Sequence, residues 1–146
     1  MASEPLRGQI ESAWNSVAGG ESPLIGYTIL NENVDDSGFL MAILDFPENH
    51  FNIDTDSVFF IGFSMGGFMS HKMAIEHGDI ITAIASVSGT IGTAIIGQTP
   101  QFKVNVLHFQ GTDDSRVRYE DTFFNNGIGY YSVGTGAEQT VEAWRN

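Results

Sequence analysis

The sequence contains no cysteine and few basic residues, with six lysines and arginines against 18 aspartates and glutamates and a formal net charge of −12. The lack of cysteine excludes disulfides, thiolate metal sites and a cysteine nucleophile. With so few basic side chains, no basic patch can be assembled, which argues against nucleic acid or an anionic membrane surface as a partner. The same charge disfavours a strongly anionic substrate, so a neutral or apolar one fits better.

Long apolar runs are also absent, since no stretch of about 18 apolar residues that could cross a membrane occurs. The segment Met1–Pro5 has neither the charged start nor the apolar centre of a signal peptide. A length of 146 residues, with 42% hydrophobic and 12% aromatic residues, is typical of one globular domain, here residues 1–146. This aromatic content argues against a chain that is disordered throughout.

Short apolar runs alternate with segments of helical periodicity, which predicts an α/β fold with a mostly parallel sheet and flanking helices. The predicted strands cover residues 58–61, 80–87 and 102–109, and the predicted helices cover 35–46, 68–77 and 137–145. The first of these helices is expected to end before Pro47. Weaker signals predict a short helix over Ile10–Val17, a strand over Tyr27–Leu30 and a loop over Ile91–Gln101.

The most informative stretch is Gly62-Phe63-Ser64-Met65-Gly66, which follows the first predicted strand and opens a predicted helix. A strand, then G-x-S-x-G, then a helix is the context of a nucleophile elbow, where a serine stands on a sharp, strained turn. We expect a β-carbon at Gly62 or Gly66 to collide where strand and helix pass each other. The backbone N–H of Met65 would then face a developing oxyanion at the helix N-terminus.

The alternative is that this pentapeptide is only a tight connection, because G-x-S-x-G also arises by chance. The apolar strand before it, the extra Gly67 and the apolar helix after it favour catalysis. Trp14 is similarly open to two interpretations, as a buried anchor or as part of a cleft, and the buried anchor is favoured.

An acid partner for the serine is predicted at the end of a neighbouring strand. Asp113 and Asp114 follow the strand 102–109, and chemistry in parallel sheets gathers at the carboxyl ends of strands. On their own, these two aspartates would more often be an ordinary polar turn.

An ordered series of blocks resembles the polyhydroxybutyrate depolymerase and feruloyl esterase group of α/β-hydrolases. The blocks are Val34–Leu40, Phe51–Asp56, Gly62–Gly67, Ile84–Thr90 and Leu107–Asp114, and the resemblance covers about Val34 to Asn146. The group's Gly-Thr-x-Asp pattern implies that Asp114 is the triad acid, with Ser64 as nucleophile and the Met65 N–H as oxyanion donor. It implies no metal or organic cofactor, and a small-molecule or polymeric ester as substrate.

The sequence departs from the group at several points. The group usually has His at the position of Gln110 and Pro at the position of Arg118, changes expected to reshape the loop beside the acid. A His-Gly oxyanion loop normally precedes these blocks, and the catalytic His normally lies in a Gly-His-x-Trp segment beyond the last helix. The resemblance therefore predicts a central segment of the fold, with nucleophile and acid present and the base absent.

None of the four histidines is a convincing internal base. His71 lies two helical turns beyond Ser64, roughly 10 Å away by helical rise, and His77 is farther still. His108 lies within a predicted strand, where a packed structural role is favoured, and His50 is expected to be exposed.

The sequence predicts a serine carboxylic-ester hydrolase that is weak or inactive by itself. The rival hypothesis is a non-catalytic α/β module that keeps the elbow as a relic and acts by binding or self-association. An incomplete sheet would expose an edge, so a homodimer through sheet edges is expected under that hypothesis. Export from the cell, to the periplasm or beyond, is expected only from the resemblance to polymer-degrading relatives.

Overall fold

The fold is described by a computed structural model over residues 13–22, 26–29, 33–98, 100–120, 122–125 and 130–145. The strands are β1 Gly19–Ser22, β2 Gly26–Ile29, β3 Val58–Phe63, β4 Ile81–Val87, β5 Asn105–Phe109, β6 Thr122–Asn125 and β7 Tyr130–Gly134. The helices are α1 Asp36–His50, α2 Met65–Glu76 and α3 Ala137–Arg145, with a short 3-10 turn at Thr93–Ile95. No helix in these described ranges is long and apolar enough to cross a membrane.

The centre of the fold is a parallel sheet with strand order β3-β4-β5. The apolar runs predicted as strands form it, and α2 connects β3 to β4 as a parallel pair requires. Two antiparallel ribbons, β1-β2 and β6-β7, accompany the sheet. The predicted α/β class, with a parallel sheet and flanking helices, is confirmed.

The core lies between one face of the sheet and the helices. Met69, Met73 and Ala74 of α2 pack against Ile81 and Ile84 of β4, and all five are almost fully buried. Side chains from all three helices and from the segment before β1 meet in this core. The partly buried members from outside the sheet are Trp14, Leu40, Met41 and Trp144.

The opposite face of the sheet is apolar and open. Its five large side chains are Phe59, Ile61, Phe63, Leu107 and Phe109, with exposed fractions of 61%, 79%, 72%, 62% and 53%. The strand register aligns them, because Ile61 is level with Leu107 and Phe63 with Phe109 across β4. Parallel sheets are normally covered on both faces, so this open apolar face, made of those five residues, is unusual.

Two local predictions were wrong. The segment before β1 was predicted as a helix over Ile10–Val17, but residues 13–18 are not helical, and residues 10–12 lie outside the described ranges. Val17 has a positive φ of 54°, which no right-handed helix accommodates, and the segment's polar groups bond to distant residues instead. Helix α1 was expected to end before Pro47 but continues three residues beyond it, to His50. A proline cannot donate its own backbone bond, yet the residues after it keep their N–H groups and can continue the helix.

Several boundaries moved by a few residues. The last sheet strand begins at Asn105 rather than Phe102, and the helix after Ser64 begins at Met65 rather than Phe68. The strand predicted over Tyr27–Leu30 is β2, and α3 matches its predicted range. The region 91–101, predicted as loop, contains the short 3-10 turn.

Candidate active site

Ser64 occupies the single residue between β3 and α2. Its φ of 53° and ψ of −119° lie in a region that non-glycine residues rarely adopt. The backbone holds this conformation from both sides: the Ser64 N–H donates to the Val87 carbonyl at 2.8 Å, and the Ser64 carbonyl accepts from Gly67 N–H at 2.8 Å. The Ser64 hydroxyl bonds to no other described residue and stands in an open cleft.

The glycines that the packing around the turn requires are not the two that the motif predicts. A Cβ on Gly62 would overlap the carbonyl group of Gly66, so this glycine is required as expected. The expectation for Gly66 was wrong, because a Cβ there would meet no atom within 4 Å. The second tight position is instead Gly67, whose Cβ would come within 2.6 Å of the Ser86 hydroxyl. The close approach of helix and sheet therefore occurs one residue later than the motif indicates.

The N-terminus of α2 presents unused backbone donors beside Ser64. The N–H groups of Gly67 and Phe68 already bond to the Ser64 carbonyl. That leaves the N–H groups of Met65, the first residue of the helix, and of Gly66 without an acceptor among the described residues. A free N–H at a helix start suits a developing negative charge, and Met65 and Ser64 line the same cleft.

Asp114 leaves the sheet at the same edge as Ser64. Because β3, β4 and β5 are parallel, their carboxyl ends meet there, and a backbone bond from Ser88 N–H to Phe109 O at 2.8 Å joins the ends of β4 and β5. The Asp114 Oδ1 atom accepts the N–H groups of Arg116 at 2.8 Å and Val117 at 3.0 Å. Its Oδ2 atom accepts from no described residue, and no described side chain joins Asp114 to Ser64.

Gln110 braces the loop that carries this aspartate. Its Nε2 donates to the Val117 carbonyl, so it ties the end of β5 to the far side of the Asp114 turn. The position that carries His in the resembling group thus has a structural task here. Arg118 is exposed and lies 3.9 Å from Glu120.

The Ser64 cleft has a volume of about 540 Å³. Its described lining is Ala13, Trp14, Val34, Asp36, Phe63, Ser64, Met65 and Gly66. Trp14 therefore fulfils both proposed roles, because it also packs against the core. Asp36 is the first residue of α1, and nothing in the local sequence indicates that it reaches the cleft.

His71 cannot act as a base for Ser64. It is fully buried on α2, and Trp144 Nε1 of α3 donates to its Nδ1 at 3.0 Å. Burial, reinforced by the neighbouring His108, lowers the pKa of His71 to about 3. A ring held in the core as a neutral acceptor supports the protein structure.

The other three histidines are likewise not hydrogen-bonded to Ser64. The His108 ring on β5 lies 5.7 Å from the His71 ring, centre to centre, and burial lowers its pKa. His77 Nε2 lies 2.9 Å from the Ser37 hydroxyl beyond the far end of α2, and His50 is exposed at the end of α1. All four histidines of the sequence are described, and none is hydrogen-bonded to Ser64.

The chain is similar to curated esterases. It is 39% identical over 121 residues to feruloyl esterase D of Neurospora crassa, an alignment covering 75% of this chain and 41% of that protein. It is 28% identical over 129 residues to the bifunctional acetylxylan esterase/xylanase XynS20E of Neocallimastix patriciarum, covering 82% of this chain and 19% of the relative. An acetylxylan esterase of Coprinopsis cinerea is 31% identical over 75 residues, covering 51% and 20%.

The chain thus spans between a fifth and two fifths of the length of these relatives. No family model matches the chain, and no solved structure matches it. The likeness is to esterases as a class, and the predicted resemblance to polyhydroxybutyrate depolymerases stays a prediction. Within the described ranges, no group of three or more His, Asp or Glu side chains could hold a metal ion.

Proposed function

We propose that this chain carries the nucleophile and acid of a serine carboxylic-ester hydrolase. The supporting observation is the backbone of Ser64, which is strained, doubly hydrogen-bonded and directly followed by the free N–H of a helix start. Such strain persists only where the surroundings enforce it, and it concentrates at functional sites. The likeness to curated feruloyl and acetylxylan esterases supports the same chemistry.

The reaction begins when Ser64 Oγ attacks the acyl carbon of an ester. The Met65 N–H stabilises the oxyanion that forms. The bond from acyl carbon to alcohol oxygen breaks, the alcohol leaves with the serine proton, and water then releases the acid and restores the hydroxyl. Asp114, with Oδ1 held by the loop and Oδ2 unoccupied, would orient an imidazole that moves the proton.

We further propose that the chain alone hydrolyses esters slowly. All four histidines are accounted for, and none is positioned to take the Ser64 proton. A triad site without its base retains only roughly 10³–10⁴-fold catalysis over water. Esters of hydroxycinnamic acids, of acetylated sugars and of hydroxyalkanoates are the substrate classes that the relatives and the resemblance favour. Export of the protein is likewise proposed from the resemblance.

Hydrolysis of p-nitrophenyl acetate with added imidazole tests this proposal. The Ser64→Ala variant provides the background for each imidazole concentration, because imidazole itself cleaves this ester. We expect the difference between wild type and Ser64→Ala to be small without imidazole and to rise with its concentration. Equal rates for the two proteins throughout would refute the nucleophile assignment.

The open apolar face favours a second candidate, a module that associates with a second copy of itself. Its three phenylalanines alone expose roughly 400 Å², because a phenylalanine carries about 150–250 Å². Pairing two such faces would bury roughly 1,000 Å² in total, near the lower limit of specific interfaces. In the described part of the chain, neither β3 nor β5 has a partner on its outer side.

Sedimentation velocity distinguishes this second candidate. Ile61→Asp places a charge at the centre of the open apolar face, and Ile96→Asp changes an exposed isoleucine elsewhere. Self-association predicts a dimer for wild type and Ile96→Asp and a monomer for Ile61→Asp. A monomeric wild type at tens of micromolar would exclude it.

A further inference from the structure

The walls of the Ser64 cleft differ sharply in character. Five of the described lining residues are apolar: Ala13, Trp14, Val34, Phe63 and Met65. Asp36 is the one charged side chain among the described lining residues. A cleft of about 540 Å³ lies within the usual range for small-molecule sites and exceeds what an acetyl group needs. The cleft therefore has room for a ring beside the reacting ester.

The Asp36 carboxylate has one oxygen engaged and one available. Its Oδ2 accepts the N–H of Asn15 at 2.6 Å, whereas no described residue donates to Oδ1. A carboxylate in this state accepts a hydroxyl proton from a bound molecule and repels a second negative charge. The hydrogen bond from Asn15 N–H to Oδ2 restrains the orientation of the Asp36 carboxylate.

Trp14 is fixed next to this carboxylate by the residue that follows it. Asn15 Nδ2 donates to the Val34 carbonyl at 2.8 Å, and the Asn15 carbonyl accepts from Lys72 Nζ at 2.9 Å. Lys72 is itself buried on α2, the helix that Ser64 begins. Asn15, the residue after Trp14, thus ties its segment both to the Asp36 carboxylate and to α2, the helix that follows Ser64.

We propose that Trp14 and Asp36 form a recognition subsite for a neutral ring that carries a hydroxyl group, next to the ester that Ser64 attacks. Trp14 packs on the face of the ring, and Asp36 Oδ1 accepts its hydroxyl proton. The subsite discriminates against rings that carry a carboxylate instead. This inference rests on the proposed function for the ester-cleaving role of Ser64, but the binding preference is independent of catalysis.

Binding of non-hydrolysable amides tests the subsite, measured by ligand-observed NMR on the whole chain. The aryl series is the N-methylamide of para-hydroxycinnamic acid, its counterpart without the hydroxyl and its para-carboxy counterpart. An N-acetylamino xyloside tests whether a sugar ring supplies the hydroxyl instead. We expect the hydroxy amide to bind about tenfold tighter than the deoxy amide, as a hydrogen bond to a charged group implies. The carboxy amide should bind weakest.

Variants assign this preference to the two residues. Asp36→Asn should reduce the ratio of the hydroxy-amide affinity to the deoxy-amide affinity to less than about threefold. Trp14→Leu should weaken the binding of all aryl amides about tenfold, and Trp14→Phe should have affinities between those of wild type and Trp14→Leu. Asp35→Asn is the matched control, because Asp35 is exposed and is not part of the cleft lining. Circular dichroism checks the fold of each variant. The order in the wild type is a test by itself: equal binding of the three aryl amides would overturn the proposal.

Ser64→Ala separates this inference from the proposed function. The variant should retain the full binding order, because Ser64 reacts with the ester and does not hold the ring. A binding order that persists while Ser64 fails every reactivity test would leave the subsite standing and refute the hydrolase. A reactive Ser64 in a cleft without the binding order would refute the subsite alone.

Discussion

The carbonyl group of Gly66 occupies the space that a side chain on Gly62 would need, whereas Gly66 itself has open space around its own Cβ position. The two glycines of the G-x-S-x-G motif are therefore not equivalent. Gly62 allows the start of α2 to cross the end of β3. Gly66 matches the motif, but the packing around it does not require a glycine.

This asymmetry predicts opposite effects of alanine at the two positions. Gly62→Ala should lower the free energy of unfolding by about 2 kcal/mol or more, because backbone atoms must move to admit the methyl group. Gly66→Ala should be neutral or stabilising by up to about 1 kcal/mol, since alanine favours a helix over glycine. Urea denaturation measures both. Similar losses in the two variants would mean that Gly66 is also crowded.

Asp114 should matter for its loop, whereas its neighbour Asp113 should not. Asp114→Ala removes the acceptor of two backbone N–H groups and should cost about 1–2 kcal/mol of unfolding free energy. Asp113 is exposed and makes no hydrogen bond to a described residue, so Asp113→Ala should stay within about 0.5 kcal/mol of wild type. Denaturation curves give both values.

The same pair tests the proposed role of Asp114 in catalysis. The imidazole-dependent part of the Ser64 rate should fall in Asp114→Ala and Asp114→Asn, and should persist in Asp113→Ala. An unchanged rate in a folded Asp114→Asn would remove this carboxylate from the mechanism.

Acid should weaken the fold through His71 and His108. Burial lowers the pKa of both in the folded state, to about 3 for His71, whereas an unfolded histidine titrates near 6.5. Below about pH 6.5 the unfolded chain binds protons that the folded chain does not, so stability falls with falling pH. For His71 this loss of unfolding free energy continues down to about pH 3. Each such histidine lowers the unfolding free energy by at most about 1.4 kcal/mol for each pH unit.

Melting temperatures between pH 7 and pH 4 test this prediction. His71→Met should flatten the profile relative to wild type, although it lowers stability at pH 7 because the Trp144 N–H loses its acceptor. Met73→Ala should also lower stability but keep the wild-type slope, because it opens a cavity in the core and removes no titratable group. A His71→Met profile parallel to wild type would contradict a neutral buried imidazole.

Much of the central sheet, but less of the candidate site, could be predicted from the sequence. The strands β3, β4 and β5 were predictable because their apolar runs are continuous, and Ser64 because G-x-S-x-G follows a strand directly. Parallel strands also predict that Asp114 lies on the same edge. Helix α3 was predictable from its amphipathic pattern.

Long-range packing determines the features that local patterns missed. The segment around Trp14 looked helical, yet its backbone is held by Asp36 and Lys72, which lie 21 and 57 residues from Asn15 in the sequence. The tight approach at Gly67 depends on Ser86 of β4, which no pentapeptide motif contains. The burial of His71 likewise depends on Trp144, 73 residues away.

The most direct test of the account is the site of modification by a fluorophosphonate, mapped by mass spectrometry of the folded chain. The strained backbone and the free Met65 N–H should make Ser64 the labelled serine, with added imidazole accelerating the reaction and 8 M urea abolishing the preference. No adduct on Ser64, or adducts spread over several serines of the folded chain, would contradict a nucleophile at the turn between β3 and α2.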